Sequence, residues 1–205
     1  MRKVLFGLVV AAIASPAFAA DRYNTAVKPG DKAPDFAGVP AYAPGGESTS
    51  LTLGDIKDDV VVLVFLANHC PAVVGVEDRL NEFTSAYKDK GVRVVGLCVN
   101  DVEEDKLPAI LKRVTDQNDK KINYLYGHDE SQEVGRAYGA TRTPYFFVLD
   151  KDRTIQYLGA FDDNADESKV KKHYVKDAVD ALLAGKTPEI AESRAVGCGI
   201  QYNKK

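Results

Sequence analysis

The segment Val60-Val61-Val62-Leu63-Val64-Phe65-Leu66 is continuously apolar and mostly β-branched, the pattern of a strand buried on both faces of a sheet. Downstream of Pro71, the apolar residues Val76, Leu80, Phe83 and Tyr87 recur at helical spacing, with Glu77, Asp78, Arg79 and Lys88 between them. That spacing predicts a helix with one apolar face, closed by Gly91. Residues 92–100 predict a second buried strand, and 102–114 a helix in which Pro108 either kinks the chain or marks the first turn. A short Tyr124-Leu125-Tyr126 strand precedes a helical stretch over 131–138. Residues 145–149 and 154–158 then flank a short polar turn and predict an antiparallel hairpin. Val170, Tyr174, Val175, Ala178, Val179 and Leu182 predict a last helix, stopped by Gly185 and Pro188. Ahead of these elements, Pro29-Gly30-Asp31 and Ala33-Pro34-Asp35 form a loop-like lead-in. Pro44-Gly45-Gly46 before Leu51-Thr52-Leu53 predicts an irregular edge strand or hairpin. Alternating strands and helices followed by a hairpin and a helix predict an α/β fold, a mixed central sheet flanked by helices on both faces.

The first 19 residues break this pattern. Arg2-Lys3, the apolar run over 4–14 and the ending Ser15-Pro16-Ala17-Phe18-Ala19 have the charged start, short apolar middle and small-x-small end of a secretory leader. The apolar run is too short for a spanning helix, which needs about 20 residues. The expectation is a leader over 1–19, a globular domain over 20–185 and a tail over 186–205, in a periplasmic or secreted protein with no membrane contact once the leader is removed. The 205 residues carry a net charge of −3, with no basic surplus, which argues against nucleic acid as a partner. Three cysteines are too few for a disulfide-stapled miniprotein and do not have the spacing of a structural zinc site.

Candidate chemistry begins at Cys70. It falls where the buried strand gives way to a helix, and Pro71 suits the first helical position because its missing N–H would have gone unpaired there. A thiol at a helix N-terminus meets free N–H groups and partial positive charge, which favour the reactive thiolate; His69, if protonated, would add to this. The second feature is Thr143-Pro144, directly before the strand Tyr145-Phe146-Phe147-Val148-Leu149. Proline is tolerated at a strand's first residue, and a cis bond there would turn the backbone of Thr143 toward an incoming extended peptide.

These parts together resemble the thioredoxin superfamily, and within it the exported AhpC/TSA-type, peroxiredoxin-like redoxin proteins. The resemblance spans nearly the whole chain after the leader. It rests on Gly30-Asp31-Lys32-Ala33-Pro34-Asp35-Phe36, Asn68-His69-Cys70-Pro71, Glu77-Asp78-Arg79-Leu80, Lys90-Gly91-Val92, Tyr138-Gly139-Ala140 before Thr143-Pro144, Gly159 through Asp162-Asp163, and Val196-Gly197-Cys198. It implies a thioredoxin-like fold, Cys70 in the redox loop, Pro144 as a cis proline, and action on a peroxide or a disulfide-bonded protein with an external thiol reductant. No cofactor or resident metal is implied. The departures are informative. The family's loop commonly reads Cys-Asn-His-Cys-Pro, but Ala67 takes the first position, and Val73 stands where a partner on the helix side would fall. Peroxiredoxins usually place Thr or Ser three residues before the reactive cysteine, and Ala67 has no hydroxyl.

Partners for Cys70 must then come from farther away. Cys98 lies inside an apolar strand and reads as a small buried hydrophobe. Cys198 lies between two glycines on the tail, where backbone freedom would let it reach the strand-helix crevice. Three arrangements stay open for Cys198: a resolving thiol that cycles with Cys70, a permanent Cys70–Cys198 staple, or no bond. Arg142, next to Thr143-Pro144, is a candidate cation beside the thiol or a surface residue. His69 and Cys70 with His128 could instead bind a soft metal. His173 reads as a solvated helix residue, and the Asp162-Asp163 and Asp166-Glu167 pairs as a solvated acidic loop with helix-start carboxylates in preference to a calcium loop, whose EF-hand glycine and spacing are missing. The favoured reading is an exported thiol-dependent oxidoreductase with Cys70, Cys198, Thr143, Pro144 and Arg142 at its site. The rival is a redox-silent module binding a peptide or soft metal, with Cys70–Cys198 locked.

Overall fold

A computed structural model describes residues 23–116 and 122–204; the leader expected over 1–19 lies outside the described residues. Nine strands and four α-helices are defined among them. A hairpin of β1 (Val39–Tyr42) and β2 (Ser48–Leu51) is followed by β3 (Val60–Leu66), α1 (Pro71–Tyr87), β4 (Val92–Cys98) and α2 (Leu107–Thr115). Then come β5 (Leu125–His128), α3 (Glu133–Ala137), β6 (Arg142–Thr143), β7 (Tyr145–Leu149), β8 (Ile155–Gly159), α4 (Tyr174–Leu183) and β9 (Cys198–Gly199).

Seven strands form one sheet in the order β2-β1-β5-β4-β3-β7-β8. β3 runs parallel to β4 and antiparallel to β7, and β7 and β8 form the expected antiparallel hairpin. With neighbours on both sides, every residue of β3 is buried, which is why its sequence does not alternate. Its side chains still divide between the two faces. Val60, Val62, Val64 and Leu66 join a core with α1, α2 and α4, whereas Val61, Leu63 and Phe65 join a second core with Phe36, Val134 of α3, Tyr138 and the tail residues Ile200 and Tyr202. Three longer helices therefore cover one face, and α3, the lead-in and the tail cover the other.

Several boundaries differ from expectation. The helix expected over 102–114 begins at Leu107, because Pro108 sits in its first turn and Glu103–Asp105 form a separate 3₁₀ turn. The last helix starts at Tyr174, not Val170. Residues 167–169 form their own 3₁₀ turn, and Asp163 Oδ1 accepts from the Lys171 N–H at 2.9 Å, an acceptor that competes with helical pairing. α1 ends at Tyr87, before Gly91, whose φ of +74° serves the turn into β4.

The tail is built into the fold. β9 pairs antiparallel with β6, matching Arg142 with Gly199 and Thr143 with Cys198. No helix among the described residues is long and apolar enough to cross a membrane.

Candidate functional site

The end of β3 delivers the chain into a tight turn in which the Cys70 N–H donates to the Ala67 carbonyl at 3.0 Å. Cys70 is the N-cap residue of α1, with extended backbone, and Pro71 opens the helix as expected. Cys70 is bonded to Cys198, with 5.9 Å between their Cα atoms across a sequence separation of 128 residues. Cys70 has no exposed surface and belongs to the core around α1; Cys198 is half-buried at its edge, so solvent meets this bond from the Cys198 side. The Thr143-Pro144 peptide is cis, and the Thr143 carbonyl oxygen lies 3.3 Å from Cys70 Sγ. The loop cysteine and the Thr-Pro step, 73 residues apart in sequence, therefore lie side by side. The structure also brings Cys198 there. The Thr143 hydroxyl is buried with no hydrogen-bond partner, which leaves it uncommitted beside the disulfide.

Arg142 does not turn to the sulfur. Its Nη1 donates to the Gly197 carbonyl at 3.1 Å, so this cation grips the strand that carries Cys198. Beyond Cys198 the tail is tied down by side chains. The Gln201 N–H donates to Asn100 Oδ1 at 3.0 Å, the Tyr202 hydroxyl to the Ala140 carbonyl at 2.6 Å, and the Asn203 N–H to Gln132 Oε1 at 2.7 Å. The Arg136 guanidinium stacks over the Tyr202 ring, 4.5 Å from its centre.

The residue that holds the redox loop was invisible in the sequence. Asp105, fully buried, accepts from the Asn68 N–H at 2.5 Å and from Asn100 Nδ2 at 2.9 Å. His69 Nδ1 lies 3.1 Å from Asp105 Oδ2, so the imidazole next to Cys70 is oriented by this carboxylate. Behind it, the Tyr126 hydroxyl donates to Asn68 Oδ1 at 2.8 Å and sits 3.0 Å from Cys98 Sγ. With its one proton committed to Asn68, Tyr126 is the acceptor for the Cys98 S–H. Burial, with the Asp105 charge adding to it, pushes the Cys98 thiol well above its ordinary value. Cys98 is thus an inert core thiol, as its apolar strand suggested.

His69, Cys70 and His128 do not form a ligand set. Cys70 is in the disulfide, and His128 Nε2 is buried against the Asn100 carbonyl at 3.1 Å. Among the described residues no cluster of three or more His, Cys, Asp or Glu is placed to hold a metal.

A cavity of about 660 Å³ is lined by Pro71, Ala72, Pro144 and Val196, close in sequence to the two cysteines and the Thr-Pro step, and also by Arg79 and Asp162. Asp162 is not the solvated acid expected. It is buried and ion-paired with Arg79, and His173 Nδ1 lies 3.0 Å from its Oδ1; His173 itself, at the N-cap of α4, is exposed as expected while making this contact. Burial raises the Asp162 pKa above the ordinary aspartate value, with Arg79 and His173 opposing the rise. Asp166 behaves as expected of a helix-start carboxylate, accepting from the Ser168 N–H.

Comparison with known proteins agrees with this geometry. A structure of an uncharacterized conserved protein from Geobacillus kaustophilus superposes with a TM-score of 0.74 at 32% identity, over 86% of this chain and 93% of that one. A thioredoxin-like protein solved in its oxidised form shares the fold, with a TM-score of 0.57 at 21% identity over 78% of this chain and 97% of its own. Among curated sequences, the thiol-disulfide oxidoreductase ResA of Bacillus thuringiensis subsp. konkukian is 28% identical over 109 residues, 53% of this chain and 59% of the relative. The chain therefore aligns with somewhat over half the length of that relative. The Redoxin family profile matches residues 28–174, a span that holds the redox loop, the Thr-Pro step and the whole seven-stranded sheet but stops short of Cys198. With the thioredoxin-like sheet and the loop cysteine falling inside that span, the chain belongs to the Redoxin family.

Proposed function

We propose that this protein is an exported thiol-disulfide oxidoreductase whose working pair is Cys70 and Cys198. The observation that carries the reading is the bond between a cysteine at the N-terminus of α1 and a cysteine strand-paired to the Thr-Pro step. A disulfide so placed has a built-in leaving group, since the helix terminus stabilises Cys70 as a thiolate. The similarity to ResA, whose name describes thiol-disulfide exchange, supports the same class, and the leader pattern over 1–19 supports export to a compartment where disulfides persist.

The cycle conserves electrons in two exchanges. A thiolate of an external dithiol attacks Cys198 Sγ, the more exposed sulfur, and Cys70 leaves as the thiolate; the second thiol of the reductant then releases Cys198 as a thiol. In the substrate half, Cys70 Sγ attacks a client disulfide, expelling one client thiolate. Cys198 then attacks Cys70 Sγ, expelling the other and restoring the protein disulfide. Two electrons pass from reductant to client. Peroxide is the less supported oxidant, because Ala67 supplies no hydroxyl where peroxiredoxins usually have one.

A second reading has its own observation. The bonds from Gln201, Tyr202 and Asn203 anchor the tail independently of the sulfurs, as suits a permanent staple. Equilibration of the purified protein in glutathione or dithiothreitol redox buffers, followed by thiol quantification, separates the two. A working pair gives a reduction potential above about −300 mV, and a static bridge one below it. A pair that stays oxidised under all but the strongest reduction, with no turnover of a disulfide substrate, overturns the oxidoreductase reading. The intact mass of exported protein tests removal of residues 1–19.

A further inference from the structure

The segment that carries Cys198 is itself shaped like a bound substrate. β6 is a two-residue strand with β9 along it, and the Ile200 N–H donates to the Thr141 carbonyl at 3.0 Å. In an antiparallel ladder hydrogen-bonded pairs alternate, so Thr143 and Cys198 fall at the next such pair. The cysteine is thereby set opposite the residue whose carbonyl lies against Cys70 Sγ. Adding an extended strand to an available sheet edge is a general way to bind a peptide, with main-chain bonds giving affinity and side-chain room giving selectivity. Here the selectivity is legible. Gly197 has a φ of +154°, and a Cβ on it would overlap the Thr143 carbonyl oxygen and come within 3.3 Å of the Ala72 Cβ. A side chain just ahead of the cysteine has no room; after it, a Cβ on Gly199 meets nothing within 4 Å. Upstream the tail is fastened where the Ser193 N–H donates to the Leu158 carbonyl at 3.0 Å, and downstream at Gln201 and Tyr202. Val196 between these points is 68% exposed.

We propose that β9 is an internal copy of the client strand. Once the disulfide is reduced, 196–200 lifts from β6 and the same edge accepts an extended client segment whose disulfide-bonded cysteine follows a glycine. This rests on the oxidoreductase reading and names the client it fits. The exchange balances as above: Cys70 thiolate displaces one client thiolate to form a mixed disulfide. Cys198 thiolate then attacks Cys70 Sγ and releases the second client thiolate as β9 re-pairs with β6, so the returning strand ejects the product. Being tethered, β9 competes at an effective concentration in the millimolar range. A free peptide at tens of micromolar is therefore disfavoured roughly 100-fold while the strand is docked.

The test uses the full chain with Cys198→Ser, reduced at Cys70, so that the strand remains but cannot close the bond. The probe is the peptide Val-Gly-Cys-Gly-Ile as its mixed disulfide with thionitrobenzoate, and the control a symmetrical aryl disulfide with no peptide. Adding Gly197→Ala, which removes the fit of β9 against Thr143, should speed reaction with the peptide roughly 10- to 100-fold while changing the aryl reaction much less. Replacing the glycine before the probe's cysteine by alanine should abolish that gain. Tyr202→Ala, which loosens the strand from its other end, should act in the same direction and serves if the glycine variant folds poorly. Equal acceleration of both reagents, or equal rates for the Gly-Cys and Ala-Cys peptides, overturns the client-strand proposal alone. A Cys70 inert to the aryl disulfide in every variant overturns that proposal together with the oxidoreductase reading.

Discussion

Asp105→Ala removes the acceptor on which the redox loop is hung. In the wild type the carboxylate takes the Asn68 N–H at 2.5 Å and the Asn100 side-chain amide at 2.9 Å, and it lies 3.1 Å from His69 Nδ1. Hydrogen bonds to a charged group are worth about 1.5–3 kcal/mol each. They do not simply add, because deleting the carboxylate also relieves its own desolvation. Removing the acceptor leaves the Asn68 N–H and the Asn100 amide without their partner at about 1–3 kcal/mol each, so the expected loss is about 2–5 kcal/mol. It is a large part of a native stability of about 5–15 kcal/mol. Asp105→Asn keeps one acceptor oxygen but turns an NH₂ toward Asn100 and His69, and should cost about 1–3 kcal/mol, the penalty for a buried donor without an acceptor. Urea unfolding with the disulfide intact measures both, as a fall in midpoint at unchanged slope. After reduction, alkylation of Cys70 should also change, since Asn68 and His69 lose their tether. A loss below about 1 kcal/mol for Asp105→Ala, with Cys70 reactivity unchanged, would refute the role assigned to this carboxylate.

Other expectations follow from the same structure. Cys198→Ser opens a loop of 128 residues and should lower stability by up to about 5 kcal/mol on the chain-entropy account, with a steeper urea slope as the unfolded chain expands; an unchanged midpoint would contradict this. Gly96→Ala places a Cβ 2.9 Å from Leu66 Cδ1 and 3.0 Å from ring carbons of Tyr124 and Tyr126, and should cost about 1–3 kcal/mol by overpacking, read as a lower Tm. Burial pushes the Tyr202 phenol up to about 12, above an unfolded value near 10. Its contribution to stability should therefore be intact below pH ~10 and be lost between pH ~10 and ~12; Tyr202→Phe should delete one phenolate step near the top of that range in an ultraviolet titration. Ala67→Cys in a Cys198→Ser background should form a local bond to Cys70, because the turn closed by Cys70 N–H and Ala67 O at 3.0 Å keeps the Cα atoms within about 7 Å. Peptide mapping that finds both thiols free after oxidation would contradict that geometry.

What could be read from sequence depended on whether the signal was local. β3 and β7 fall where the continuous apolar runs Val60–Leu66 and Tyr145–Leu149 predict them, because a strand buried on both faces announces itself in consecutive residues. Cys70 before Pro71 and Thr143 before Pro144 were legible for the same reason. The start of α2 was not, since Val102 continues the apolar spacing while Glu103–Asp105 turn separately. The acidic triplet also hid Asp105: three carboxylates in a row read as a solvated face. What buries the third is its fit to Asn68, 37 residues earlier, and to Asn100. Asp162 was misread for a similar reason, its partner Arg79 lying 83 residues away on α1. Cys198 was legible as a candidate only, because neither spacing nor composition says that a Gly-Cys-Gly segment will lie along β6.

The absence of a cysteine at positions 67 and 73 changes what the tail must do. In a local cysteine pair the second thiol is carried by the same turn and stays beside the first in every redox state. Here it arrives on a strand that contacts its partner through β6, so making the disulfide and occupying the peptide edge are one event. Arg142 links them physically, since the residue next to Thr143 grips the carbonyl of the residue before Cys198. The oxidised protein therefore presents no free edge at β6, and in the proposed cycle reduction would make that edge available. Under that proposal, such coupling would select reductants that reach the half-buried Cys198 without strand pairing and clients that need it. A protein wired this way can keep its two half-reactions from meeting the same partner, using one strand where a paired motif would need two separate recognition surfaces.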